Sequence, residues 1–542
     1  MVLVKPMHCA LILIMLAASG AVPAAKLDSV DERRLNAAEP TFADFLDAAG
    51  AIATIDSGLT ASFDGLERAG WQARFDHSLQ TLNAALSLVS EQGLSAHGQR
   101  ALAGMRSGIA YRTDSTLAPA GDCAAALRPN ATGRELRTAL YACFSSVGDA
   151  IQFEGYNYAR GDALELLDRI GEPDRRRALF MAMEPLWRAV NGENRPESPY
   201  RRMIAAEAGH ARANIADAEA SLGLPAGSGE RWLEQALEAW GGAGSAATLE
   251  PWDFRYAYSG AARTVQACTH NLQDANALFF RDLGADLSRL RVIEDLDARP
   301  GKAPVDYTDF ARVGRRAGGA WRPAIPRVSI LLQEEGLGSA HELAHENGHA
   351  VHYAAIRAPP SLQMPDDLSL ATESFADITG WSVFNPAWQR KYLGCASTEA
   401  DGRRARLGSV ILDVAWGLFE IRMARDPAND PNAVWTDITS RFLHIAPHPE
   451  LSWWAVRGQL VDDPGYMITY ALGAFVTADL RAHIRAKIGE FDAGNAGWYR
   501  FVSPRLLRFG GEIEPRLLLR RFLGRPVARA ALLADIRKIG SP

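Results

Sequence analysis

Beyond its opening residues the 542-residue chain holds no apolar run of the roughly 18 residues needed to cross a bilayer, so no membrane span is expected once a leader is removed. It also lacks any block of lysine or arginine. At a formal net charge of −6 it offers no phosphate-binding surface, and no nucleic-acid partner is expected. Cysteine is scarce, with five in all, and the separations of Cys123, Cys143, Cys268 and Cys395 do not match a cysteine metal site. No unit of about 20 to 50 residues repeats, which excludes a solenoid. What remains is 48% hydrophobic and 23% charged, the makeup of an ordinary globular protein with a large core.

Lys5, an apolar run from Cys9 to Ala18 and small residues at Val22-Pro23-Ala24-Ala25 have the layout of a cleavable export leader. Residues 1–25 are therefore read as a signal peptide, and the mature chain, starting near Lys26, is expected to be periplasmic or secreted. Cys9 opens the apolar run instead of following it, a poor position for lipid attachment. In an oxidising compartment Cys123 and Cys143, which flank the turn-rich Arg128-Pro129-Asn130, are candidates for a disulfide; four buried thiols are the alternative.

Apolar residues at three- and four-residue intervals predict helices over Leu79 to Ser90, Asp174 to Met183 and Pro199 to Leu222. Strand signals are few, the clearest being Arg327 to Leu332 between Pro326 and the Gly336/Gly338 turn. The fold class is mainly α. Gly and Ala interrupt two helical patterns at Gly241 to Ala247, dividing the mature chain into an N-terminal helical region, 26–245, and a second region, 246–542.

Four of the twelve histidines, His341, His345, His349 and His352, fall within twelve residues of that second region. Helical positions four apart share a face, so two imidazoles there can bind one metal, and a Glu directly after the first can reach water at that metal. The pattern occurs twice, as His341-Glu342-x-x-His345 and as His345-Glu346-x-x-His349. Pro359-Pro360 should stop this helix and Pro365-Asp366 should open the next. From His349 to Ala358 is about 13 Å of helix and from Asp366 to Glu373 about 11 Å, so antiparallel packing brings Glu373 to the second pair. Glu373 stands alone among Leu368, Leu370, Phe375, Ile378 and Trp381, where an unpartnered carboxylate would be costly and a metal would supply a partner. Asp377, one turn on, is placed to orient a liganding imidazole. His341 and His352 each read as supporting or solvated histidines rather than ligands.

His345-Glu-Asn-Gly-His349-Ala-Val-His352 resembles the His-Glu-x-Gly-His-x-x-His signature of the thimet oligopeptidase family, and Glu373-x-x-x-Asp377 is similar to the related angiotensin-converting enzyme family. Pro251-Trp252-Asp253 and the stretch from Gly510-Gly511 through Pro515 to Phe522-Leu523-Gly524-Arg525-Pro526 resemble further oligopeptidase segments. The likeness is specific around 327 to 381 and patchy over 250 to 535. It implies a two-lobed helical zinc peptidase fold with a deep central groove, a small β-sheet beside the metal helix, and the strand Arg327 to Leu332 lying along a bound peptide. Gly465-Tyr466-x-x-x-Tyr470 is similar to a segment whose tyrosines donate hydrogen bonds to the reacting carbonyl. Two positions depart from the pattern: Gly473 stands where the oligopeptidases carry another tyrosine, and Leu460 roughly where the converting enzymes have a histidine. A second donor is left open among His444, His448 and Arg457.

The expectation is thus a monomeric peptidase acting on short peptides as an oligopeptidase or dipeptidyl carboxypeptidase. It would hold one zinc ion per chain on His345, His349 and Glu373, the open three-ligand set that catalysis needs. Glu346 would act as general base, Tyr470 or Tyr466 would donate to the carbonyl oxygen, and Asp377 and His352 would support the ligands. A silent peptide-binding or metal-binding protein on the same fold is the alternative, and neither has use for a base beside the metal. Metal analysis separates the overlapping motifs: His349→Ala should lose zinc while His341→Ala keeps most of it, and the reverse would move the site one turn toward the N-terminus.

Overall fold

The computed structural model describes residues 29–113, 128, 130–243, 247–297, 299, 302, 306–332, 336–363 and 368–539. The expected leader, Cys123, the Pro365-Asp366 helix start and part of the expected division at 241–247 lie outside the described residues. Helices dominate, with strands confined among the described residues to three two-stranded hairpins and one three-stranded sheet. The periodic stretches fold as their spacing predicts. Arg68–Leu86 overlaps the first, ending four residues early, while Pro173–Ala182 and Pro199–Ser221 match the other two to within a residue. Both of the latter start on proline, whose missing N–H costs nothing in a first turn. No helix among the described residues is long and apolar enough to cross a membrane.

Buried side chains form two main cores. The larger draws on residues from Leu136 to Ile539. The smaller joins Leu35, Phe42, Phe45 and Leu102 of the first helices to Phe310, Tyr353, Ile356 and Leu362. The histidine helix, Leu337–Ala355, contributes Leu343, Ala344 and Val351 to the first and Tyr353 to the second, so it spans both. It ends before Pro359-Pro360, as expected.

The helix Ser369–Gly380, which carries Glu373, runs antiparallel to it: Gly380 lies beside His341 and His345, Gly348 beside Ala376 and Thr379, and Phe375 beside His352. Glycine makes that approach possible. A Cβ on Gly348 would fall 2.6 Å from Thr379 Oγ1 and 2.8 Å from the Ala376 carbonyl oxygen.

The strand read at 327–332 is observed as Ile325–Ser329, and it occupies the middle of the three-stranded sheet. Ile293–Asp295 pairs with it in parallel and Tyr307–Arg312 antiparallel. With both edges already paired it cannot lie along a peptide, because that requires a free row of N–H and C=O groups. Among the described residues Tyr307–Arg312 is paired along one side only, and Gly50 of the first helix lies against its Phe310 and Ala311 carbonyl oxygens. A disulfide that the spacing does not suggest, Cys268–Cys395, joins segments 127 residues apart. Cys143 is also disulfide-bonded, and Cys123, its expected partner, is one of the residues not described.

Gly348→Ala tests the helix contact. Alanine favours a helix by about 1 kcal/mol, whereas overpacking against a rigid backbone costs about 1–3 kcal/mol. The clash should win, with a lower denaturation midpoint; a raised midpoint would mean that the two helices can part freely.

Candidate metal centre

His345 and His349 sit one turn apart on the buried face of the histidine helix, 9% and 6% exposed. Their Nε2 atoms are 3.1 Å apart, and Glu373 Oε2 lies 3.3 Å from the first and 3.6 Å from the second. A tetrahedral zinc with bonds of about 2.0–2.1 Å holds its ligand atoms about 3.3 Å apart, so the triangle has the size that one ion requires. Its chemistry agrees. His345 Nδ1 is 2.9 Å from Asp377 Oδ1 and donates to it, which leaves Nε2 a bare lone pair facing a carboxylate and a second imidazole. Such a convergence of lone pairs in a buried place needs a proton or a cation between them. The residues present therefore fit zinc.

Electrostatics point the same way. Burial by itself would lower the pKa of His345, but its bonds to Asp377 and then Glu373 drive it well above the usual value. Burial likewise opposes ionisation of Glu373 and Asp377, and the imidazoles beside them overcome it, holding both carboxyls far below the usual range.

Glu346 also brings a carboxylate oxygen within 4.8 Å of both histidines, so two carboxylates face one imidazole pair. Their contacts separate their roles. Glu373 approaches both nitrogens closely, whereas Glu346 Oε2 accepts a 2.6 Å hydrogen bond from Thr308 Oγ1, which also donates to the Glu346 carbonyl at 2.9 Å. Thr308 belongs to the strand Tyr307–Arg312, so the sheet holds Glu346 as well as flanking it. Burial raises the pKa of Glu346, offset in part by His349, His345 and the Thr308 bond.

The tyrosines arrive on the helix Met467–Ile488 and its preceding turn. The Tyr466 hydroxyl donates to Glu373 Oε1 at 3.2 Å, so the two oxygens of Glu373 serve different partners. Tyr470 packs edge-on against Tyr466 at 5.5 Å and lies under the Arg457 guanidinium at 5.6 Å. Its hydroxyl makes no hydrogen bond among the described residues, and burial followed by Glu373 keeps it protonated.

Other residues singled out in the sequence go elsewhere. His341 lies 3.7 Å from Asp377 Oδ1 and 3.3 Å from Glu342 Oε1, beside the triangle but not in it. His352 does not support a ligand: neither ring nitrogen has a hydrogen-bond partner among the described residues, the ring meets Phe375 edge-on at 5.2 Å, and burial pushes its pKa down to about 3. Its three-residue offset from His349 turns it into the apolar contact between the two helices. His444 is bonded to the Gly241 carbonyl and His448 lies between Glu250 and Glu450, so both are engaged away from the metal. Leu460 is buried core, and Gly473 packs against Ser374. Asp253 of the Pro-Trp-Asp segment pairs with the buried Arg176.

Sequence reasoning misses Arg160, Asp306 and Asp413 besides Thr308, whereas Arg457 is one of the candidates for a second donor. Arg160, at the start of the helix Arg160–Leu167, makes no hydrogen bond or ion pair among the described residues; its guanidinium lies 5.6 Å from the Phe144 ring. Burial and then Arg457 lower its pKa to about 10, while Asp306 and Glu342 oppose the drop. Burial, reinforced by Glu342 and Glu346, lifts Asp306 to about 7. Arg457 is bonded to Asp413 at 2.6 Å. No local pattern marks Arg160, Asp306 or Asp413, because their segments meet only in the folded chain.

No family model matches the chain, and no curated protein matches it. Among solved structures it is similar to an M32 carboxypeptidase from Deinococcus radiodurans R1, at 14% identity and a TM-score of 0.47, covering 94% of this chain and 98% of that one. It is also similar to metallocarboxypeptidase 1 of Trypanosoma cruzi, at 13% identity and a TM-score of 0.49, covering 92% and 98%. The likeness to the thimet oligopeptidase and converting enzyme families is one of motifs.

Proposed function

We propose that the protein is a zinc-dependent peptidase acting at the carboxyl end of short peptides. The observation that carries the metal reading is the triangle of His345, His349 and Glu373 with a separately anchored carboxylate, Glu346, beside it. A metal store or a silent binder has no use for that fourth group.

When bound, zinc would supply Lewis acidity to the attacking water and to the scissile carbonyl. Glu346 takes the proton of that water and passes it to the leaving nitrogen as the C–N bond breaks. Its burial-raised pKa suits a group that must both accept and release a proton. Thr308 holds one of its oxygens, and no hydrogen bond among the described residues engages the other. Tyr470, with its hydroxyl uncommitted, is the donor to the oxygen that gains charge; Tyr466 is committed to Glu373. The edge strand Tyr307–Arg312 is the surface along which an extended peptide adds its own backbone hydrogen bonds.

The finer reading, attack near a free carboxyl terminus, is supported by Arg160. A half-buried guanidinium that makes no ion pair among the described residues, though Asp306 and Glu342 act on it, suits a terminal carboxylate, while Arg457 is already paired with Asp413. Export to the periplasm or beyond is part of the same proposal and rests on the leader-like first residues.

Glu346→Gln should keep zinc while kcat falls by at least about 10²-fold. Tyr470→Phe should lower kcat by roughly 10²- to 10³-fold with little change in KM. Full activity of zinc-loaded Glu346→Gln would refute the mechanism. Peptides with free and amidated carboxyl termini test the end specificity by mass spectrometry. Wild type should prefer the free acid, and Arg160→Ala should raise KM for it about 10- to 100-fold, the scale of one charge-assisted hydrogen bond. Equal cleavage of acid and amide at internal bonds would make the enzyme an endopeptidase.

A further inference from the structure

Glu420 lies on the long helix Glu399–Arg425 and is 4% exposed. Both of its oxygens are used, and both by backbone: Oε1 accepts from Gly465 N–H at 2.8 Å and Oε2 from Met467 N–H at 2.7 Å. These two donors flank Tyr466, which caps the helix Met467–Ile488. The first N–H groups of a helix have no partner within it, and a carboxylate there meets both an unmet hydrogen-bonding need and the positive end of the dipole. The usual cap comes from the adjoining sequence. Here it comes from another helix, 45 and 47 residues earlier in the chain.

The turn is held from its other side as well. Gly465 has φ +91, and a Cβ on it would lie 2.5 Å from the Ala211 carbonyl oxygen. Asn214 Nδ2 donates to the Pro464 carbonyl at 3.0 Å. Between these walls the backbone of Tyr466 has one place to sit, and from that place its hydroxyl reaches Glu373 Oε1 at 3.2 Å while Glu373 Oε2 faces the imidazoles.

We infer that Glu420 is a positioning residue for the metal centre, acting through the backbone of Tyr466 on the orientation of Glu373. The path is short: carboxylate, turn, hydroxyl, ligand. Groups that orient a ligand are commonly worth 10- to 100-fold in metal affinity, which sets the scale of the effect. The inference rests on the zinc reading above, and its test reads metal binding rather than turnover.

The experiment measures zinc affinity of the full mature chain by competition with a chromophoric chelator, in wild type, Glu420→Gln, Tyr466→Phe and the double variant, alongside the denaturation midpoint of each metal-free protein. Glutamine keeps the shape but turns an NH2 toward one of the two backbone donors. Each single variant should weaken zinc about 10- to 100-fold, and the double should be no more than about threefold weaker than the poorer single, because both remove one path. Multiplying effects, or a Glu420→Gln that lowers only the midpoint and leaves zinc affinity within twofold of wild type, would reduce Glu420 to a helix cap and overturn the inference. If Glu420→Gln does not fold, Glu420→Asp, which keeps the carboxyl but falls a methylene short, should show a smaller loss that Tyr466→Phe again absorbs; unchanged affinity in Glu420→Asp beside a weakened Tyr466→Phe would overturn it equally. Wild-type protein that takes up no zinc would overturn the metal reading itself, an outcome distinct from either.

Discussion

The contact between two helices at Gly348 and Gly380 is the constraint on which the rest of the site depends. Glu373 comes within 3.6 Å of both imidazoles only because no side chain stands between the helix backbones there. Once they meet, three lone-pair-bearing atoms share one small volume, and their repulsion, which packing alone would not tolerate, calls for a proton or a cation between them. Asp377 adds direction: by accepting from His345 Nδ1 it turns the other nitrogen of that ring toward the centre. His352, the remaining member of the motif, completes the same helix contact through an apolar face against Phe375.

Around this pair the architecture supplies anchors from distant segments. The sheet contributes Thr308 to Glu346, and the long helix Glu399–Arg425 contributes Glu420 to the turn that carries Tyr466. The histidine helix belongs to both hydrophobic cores, so its side chains are fixed from two directions. A site with rigid walls of this kind loses little free energy to reorganisation when a substrate arrives.

Charge is distributed unevenly about the imidazole pair. On the side of Glu342 lie Asp306, Asp413, Arg160 and Arg457, an assembly in which acids outnumber bases while one base, Arg160, has no ion-pair partner among the described residues. The same assembly explains why simple counting of charged residues along the chain says nothing of specificity.

The sequence by itself determined the elements whose signals are local. Helical periodicity placed Pro173–Ala182 and Pro199–Ser221 to within a residue, and four-residue spacing put His345 and His349 on one face with Glu346 following. Even Glu373 was legible, because a lone carboxylate in an apolar stretch at a calculable helical distance needs a partner. Only the tertiary structure decided matters that depend on which segments become neighbours. Strand order is one: Ile325–Ser329 reads as a strand from its residues, yet whether it is central or an edge depends on Ile293–Asp295 and Tyr307–Arg312 pairing with it. The Cys268–Cys395 bridge, the Thr308 and Glu420 anchors and the uncommitted Arg160 are others, since side chains 38 or more residues apart carry no mutual periodicity. Local propensity is written in neighbouring residues, whereas a site assembled across several segments exists only once burial has brought them together.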